Sequence, residues 1–141
     1  MLRPERSGRR SLSKRLKFSD AALEDLADIR GYTVAFFGAR QAERYEVLLG
    51  QAFADIEEDP YRPYSKARLD LGDGFRSYRV ELSRNRSGSG VKSSPHVVLY
   101  VELMEHGIGV SRVLHDSMVM QRHIPPEHRE GPEAFGRDEE E

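Results

Sequence analysis

The chain has 141 residues, the length of one domain. Charged residues make up 33% and hydrophobic residues 38%, so part of the chain is expected to be solvated tail rather than core. There is no cysteine, which excludes a disulfide scaffold and a thiolate metal site, and no apolar run of about 18 residues, which excludes a membrane-spanning helix.

The net charge of −2 hides a polarised distribution. Arg3, Arg6, Arg9, Arg10, Lys14, Arg15 and Lys17 stand against Glu5 alone at the start. Glu127, Glu130, Glu133, Asp138, Glu139, Glu140 and Glu141 dominate the end. Residues 1–14 are read as a disordered basic arm, 15–124 as the folded domain, and 125–141 as a disordered acidic tail. The start has no apolar h-region, so it does not read as a secretory signal, and the expected location is cytoplasmic.

Arg15-Leu-Lys-Phe18 alternates and predicts a short first strand. Ser19 is a good N-cap with Asp20 in the first turn, and a helix is expected from Asp20 to Phe37. Its apolar stripe would be Leu23, Leu26, Ile29, Tyr32 or Thr33, and Phe36. Gly38 ends it. A second helix from Ala39 to Asp59 has the strongest periodicity, in Tyr45, Leu48, Leu49, Ala52, Phe53 and Ile56, and Pro60 stops it. So short a link implies an antiparallel helical hairpin, whose apolar stripes need a sheet or a partner to cover them.

Ala67 to Leu71 is a candidate strand and Gly72-Asp-Gly74 a turn. Phe75 to Leu82 alternates as a strand, Ser83 to Pro95 reads as a low-complexity loop, and His96 to Leu103 suits a central strand. The last strand is expected over Ile108 to Leu114, running into a short terminal helix that begins near His115. The fold class is α+β. A two-helix antiparallel hairpin packs on a small twisted antiparallel sheet, in the order β-α-α-β-β-β, with a short C-terminal helix.

Sequence spacing gives no metal site. His96, His106, His115, His123 and His128 form no zinc spacing, and no glycine-rich loop reads as a nucleotide fingerprint. Cations are the remaining chemistry. Lys66, Arg68, Arg76, Arg79, Arg84, Arg86, Lys92 and Arg112 lie on or beside the strands. They read either as a phosphate- or protein-binding patch, or as the solvent face of a half-exposed sheet neutralised by Glu81 and Asp70. Arg112 and His115 meet where the last strand ends, and His115 reads as a general acid or base or, equally, as a capping residue or a partner for a backbone carbonyl.

The order of these pieces resembles a known family. Leu23-Glu-Asp-Leu-Ala-Asp-Ile29 with Tyr32, Gly38-Ala-Arg-Gln-Ala-Glu-Arg-Tyr45, and then Phe53, Ile56 and Pro60 are similar to the helical half of the ParE branch of the RelE/ParE toxin superfamily. Gly74-Phe-Arg76 with Tyr78, His96-Val-Val-Leu-Tyr100 and Arg112-Val-Leu-His115 with Met118 and His123-Ile124 are similar to its second half. Val119 stands where that family usually has an acid.

The resemblance implies the toxin of a bacterial type II toxin–antitoxin pair, of the kind tied to plasmid stabilisation. It would inhibit DNA gyrase by binding rather than by catalysis, without a cofactor or metal, and be neutralised in a hetero-oligomer by a cognate antitoxin with a helical segment. The target-facing residues are then expected to be Arg84, Arg86, Arg112, His115, Met118 and Arg122, and the antitoxin-facing ones Tyr45, Leu49 and Phe53. The alternative within the superfamily is a RelE-like endoribonuclease cleaving mRNA on the ribosome, with Arg76, Arg112 and His115 as its catalytic set. A non-toxic binding module of the same fold is the third reading.

Overall fold

The computed structural model describes residues 15–104 and 107–118. The expected basic arm, the acidic tail, residues 119–124 of the expected terminal helix, and Arg122 with them, lie outside the described residues.

Strand β1 covers Arg15–Phe18. Helix α1, Asp20–Phe37, starts where the Ser19 hydroxyl accepts a hydrogen bond from the Ala22 N–H at 3.0 Å. It ends at Gly38, whose φ of +93° makes the one-residue turn into α2, Ala39–Glu58. A side chain is strained at that φ, so glycine is what keeps the hairpin tight.

After α2 the chain forms β2, Lys66–Ala67, and β3, Phe75–Arg79. A 3-10 turn over Val80–Ser83 leads into a one-turn helix α3, Arg84–Ser87. Strands β4, His96–Glu102, and β5, Gly107–His115, complete the sheet. The strand order is β1-β5-β4-β3-β2. Four of these strands form the expected antiparallel meander. β1 corrects the fully antiparallel expectation, because it pairs parallel with β5, Arg15 opposite Gly107 and Phe18 opposite Val110. The sheet is therefore mixed. β1 reaches this edge through Ser19, whose hydroxyl donates to the Ser111 carbonyl at 2.8 Å.

β5 carries a bulge. Leu99 pairs with Arg112 but Tyr100 with Val110, which leaves Ser111 as the extra residue. The bulge explains an irregular sequence pattern. Ile108, Val110 and Val113 all join the helix-side core, although strict alternation would turn Val113 away. Leu114 joins the cluster on the opposite face with Phe75, Val97, Leu99 and Val101. β5 also extends to His115, and Asp116–Ser117 turn where the terminal helix was expected to begin.

The core forms where the α2 stripe meets the sheet. Tyr45, Leu48, Leu49, Ala52 and Ile56 pack with Tyr78, Val80, Val98 and Tyr100. One carboxylate sits in that stripe. Asp55 is 1% exposed and accepts from Ser83 Oγ at 2.6 Å and Gln51 Nε2 at 2.9 Å, with Arg86 Nε at 3.2 Å. These bonds satisfy a charge that would otherwise be costly to bury. They also pin residues 80–87 to α2, which is why the expected strand stops at Arg79 and part of the expected loop is helical.

The α1 stripe behaves differently. Leu26 and Ile29 pack against the core, but Leu23, Tyr32 and Phe36 are exposed. Tyr32 and Phe37 instead face an open groove whose other lining includes His96 and His115 at the ends of β4 and β5.

Candidate functional site

The predicted cations do not converge. Arg112 grips Asp25 of α1 with Nε and a terminal nitrogen, both at 2.7 Å, and the two side chains are only 17% and 12% exposed. Asp25 also accepts the Val113 backbone N–H at 2.9 Å. The hydrogen bonds from its own guanidinium to the Asp25 carboxylate raise the Arg112 pKa against the opposing effect of burial, and the charges of Asp25 and Glu24 add to the rise. Arg112 is thus a strut between α1 and β5.

Arg76 lies on β3, with β4 between it and β5. Two strand spacings, about 10 Å, therefore separate it from Arg112. Its Nε donates to Ser65 Oγ at 2.7 Å and its guanidinium sits 4.9 Å above the Tyr61 ring. Arg86 is held by Asp55 and Glu58, Arg84 by the Glu81 carbonyl, and Arg79 by Asp116. The sheet cations are largely compensated by carboxylates of the same chain. Met118 is exposed beyond the end of β5.

His115 is placed otherwise. It is exposed, its Nδ1 accepts from the Ser117 backbone N–H at 3.1 Å, and its ring meets His96 edge-on at 5.9 Å between centroids. His96 Nδ1 is 2.6 Å from the Tyr45 hydroxyl, which also bonds Ser94 Oγ. Burial pushes the Tyr45 phenol up to about 12. Burial, and then the charge of His115, push the His96 imidazole down to about 4, while Asp116 and Asp25 work the other way. The folded state holds His96 neutral, whereas the unfolded chain protonates it near 6.5. Its contribution to stability is therefore complete above pH 6.5 and is lost as pH falls from there towards 4. After allowance for solvent screening the loss is on the order of 1–2 kcal/mol. Urea melts at several pH values should show this slope in the wild type and not in His96→Gln. An identical slope in both would contradict it.

These two histidines form one wall of an open groove of about 630 Å³. Asp28, Tyr32 and Phe37 of the hairpin form the other wall, with Tyr45 between. At its rim Tyr32 stacks on Phe36, ring centroids 4.5 Å apart, and reaches Phe37 at 6.4 Å. The three rings are 59%, 67% and 63% exposed. Three adjacent aromatic side chains left in water are a feature of docking surfaces rather than of a finished exterior.

Tyr45, Leu49 and Phe53, expected to face an antitoxin, lie deeper. Tyr45 and Leu49 are buried, and Phe53 packs edge-on against Phe18 at 5.1 Å. They line the floor of a smaller groove between the helices with Leu26, Ile29 and Thr33.

Sequence reasoning missed Asp25 and the exposed tip. One signal for Asp25 was available. It lies three residues from both Ala22 and Asp28 and beside Leu26, at the border of the α1 stripe, where a carboxylate needs a cation. Among the described residues no cluster of histidine and carboxylate groups could hold a metal ion, and no helix is long and apolar enough to cross a membrane.

Comparison with known proteins adds to this geometry. A family model described as the ParE toxin of the type II toxin–antitoxin system, parDE, matches residues 16–120. A chain from the chromosomal ParDE toxin–antitoxin system of P. aeruginosa superposes with a TM-score of 0.54 at 14% identity, over 74% of this chain and 97% of that one. At that identity the likeness is one of fold. No curated protein matches the sequence.

Proposed function

The chain belongs to the ParE toxin family of type II toxin–antitoxin systems, and on that premise we propose that it inhibits DNA gyrase by binding and is silenced by a cognate antitoxin seated on the hairpin tip. The observation that carries the docking reading is the aromatic rim of Tyr32, Phe36 and Phe37 over an open groove. A toxin that must be held inactive in a complex needs an apolar surface that is exposed when it is free and covered when it is bound.

Inhibition by binding also agrees with the state of the cations. A ribonuclease needs a base and several cations at one concave point to activate a 2′-hydroxyl and hold a charged phosphate. Arg76 is tied to Ser65 and Arg112 to Asp25, on different strands, so neither joins His115 in such a site. Action on gyrase would place the protein in the cytoplasm.

The test sets the purified full chain against gyrase supercoiling and, in parallel, against translating ribosomes. Loss of supercoiling with accumulation of cleaved DNA, reversed by the antitoxin, is the expected result. Cleavage of mRNA on the ribosome with supercoiling untouched would replace this reading with the ribonuclease one.

A further inference from the structure

Helix α1 carries four carboxylates, Asp20, Glu24, Asp25 and Asp28, against one cation, Arg30. Arg30 turns to Glu46 of α2 at 2.6 Å, and Asp25 is taken by Arg112. The other three follow in steps of four residues, and the next two steps are Tyr32 and Phe36. Residues four apart on a helix are surface neighbours, so these five side chains form one continuous ridge. All five are exposed. The like charges repel one another along the ridge, which a cationic partner would reverse.

The mode of docking follows from the neighbouring sheet edge. A partner strand cannot pair with β5 here. β1 occupies residues 107–110, the Ser19 hydroxyl takes the Ser111 carbonyl, and the Asp25 carboxylate takes the Val113 N–H. The β5 backbone beside the groove is thus taken, and a partner lying on the ridge meets helix side chains and the groove rather than a strand edge, which is how a helix docks.

We propose that the ridge Asp20–Glu24–Asp28–Tyr32–Phe36 is a two-part recognition surface for a helical segment of the antitoxin, with basic residues facing the carboxylates and a large apolar side chain entering the groove between Tyr32 and His115. This rests on the antitoxin reading above and adds to it the chemistry of the partner. The aromatic part holds the segment. The acidic part fixes its direction and selects against antitoxins whose segment is acidic.

The experiment measures binding of the full chain to its cognate antitoxin, for the wild type, the double variant Glu24→Gln/Asp28→Asn, and Tyr32→Ala, at about 50 and about 300 mM salt. Both variants replace exposed residues, and circular dichroism confirms the fold of each. The wild type is expected to lose about tenfold in affinity at the higher salt. The double variant should bind about five- to tenfold more weakly at low salt, with a flattened salt response. Wild-type affinity and salt response in the double variant, together with weakened binding by Tyr32→Ala, would overturn the acidic half and leave antitoxin docking standing. Unchanged binding by Tyr32→Ala as well would remove the docking reading itself. Sedimentation of the free chain tests the other occupants. A dimer abolished by Tyr32→Ala would assign the ridge to a second copy. Tighter antitoxin binding after removal of residues 1–14 would assign the acidic part to the chain's own basic arm. Either overturns the proposal.

Discussion

Asp25→Ala is expected to lower the free energy of unfolding by about 3 kcal/mol, the largest effect of any single substitution at the α1–β5 junction. The carboxylate makes three hydrogen bonds, two to Arg112 and one to the Val113 N–H. Removing it takes two charge-assisted bonds from the Arg112 guanidinium and leaves the Val113 N–H without its acceptor, in a site with little access to water, and an unsatisfied buried donor costs more than the net value of the bond it made. For a domain of this size the melting temperature should fall by roughly 10–20 °C. Asp25→Asn can still accept from Val113 and should cost about half as much. Asp28→Ala, three residues along the same helix but exposed, should stay within about 0.5 kcal/mol of the wild type. Thermal melts of the three variants check this. Equal melting of Asp25→Ala and Asp28→Ala would show that Arg112 is not a strut, and would return it to the candidates for a functional cation.

The second large effect concerns binding, not folding. Tyr32→Asp should weaken antitoxin affinity by about 30- to 100-fold, equivalent to about 2–3 kcal/mol. Tyr32 is the centre of the aromatic rim, in contact with both Phe36 and Phe37, and it lines the groove. A carboxylate there breaks the apolar contact and extends the acidic ridge into the apolar half of the face. Because the side chain is largely in water in the free chain, melting should change little. Arg84→Ala is the comparison. Its guanidinium binds the Glu81 carbonyl on the far side of α2, and the change should alter affinity less than twofold. A loss at Arg84 equal to that at Tyr32 would move the docking surface to the basic segment after β3.

The hairpin and its partner strands could be read from local chemistry because each boundary has a residue that can do little else. Ser19 caps α1, Gly38 makes the turn, and Pro60 follows α2. The α2 stripe was legible because every apolar residue in it found sheet beneath. The same periodicity in α1 was misleading, since Tyr32 and Phe36 repeat at helical spacing yet face solvent. Periodicity reports which residues share a face and does not report what covers that face. The direction of β1 was hidden for a similar reason. Four alternating residues fix a strand but not whether it runs parallel to its neighbour. The family, by contrast, was legible from motif order, and the match over residues 16–120 bears that out.

The site was legible in part. Arg112 and His115 both belong to β5, as the expected last strand and its end implied. Their roles depend on partners far away in sequence. Asp25 lies 87 residues from Arg112 and converts it from a free cation into a strut. Tyr45 lies 51 residues from His96 and draws it into the groove wall beside His115. Long-range pairings of this kind leave only a faint mark in a sequence, a charged residue at the border of an apolar stripe.

Hydrogen exchange along the backbone, with and without the cognate antitoxin, tests most directly whether the hairpin tip is the surface the antitoxin covers. Slowed exchange on binding is expected in residues 28–37, the far half of α1, and in 91–96 across the groove. The edge formed by residues 66–70 and the short helix at 84–87 should exchange as in the free protein. Protection confined to 66–70 or 84–87, with 28–37 unchanged, would contradict the account and place the antitoxin on the opposite edge of the sheet.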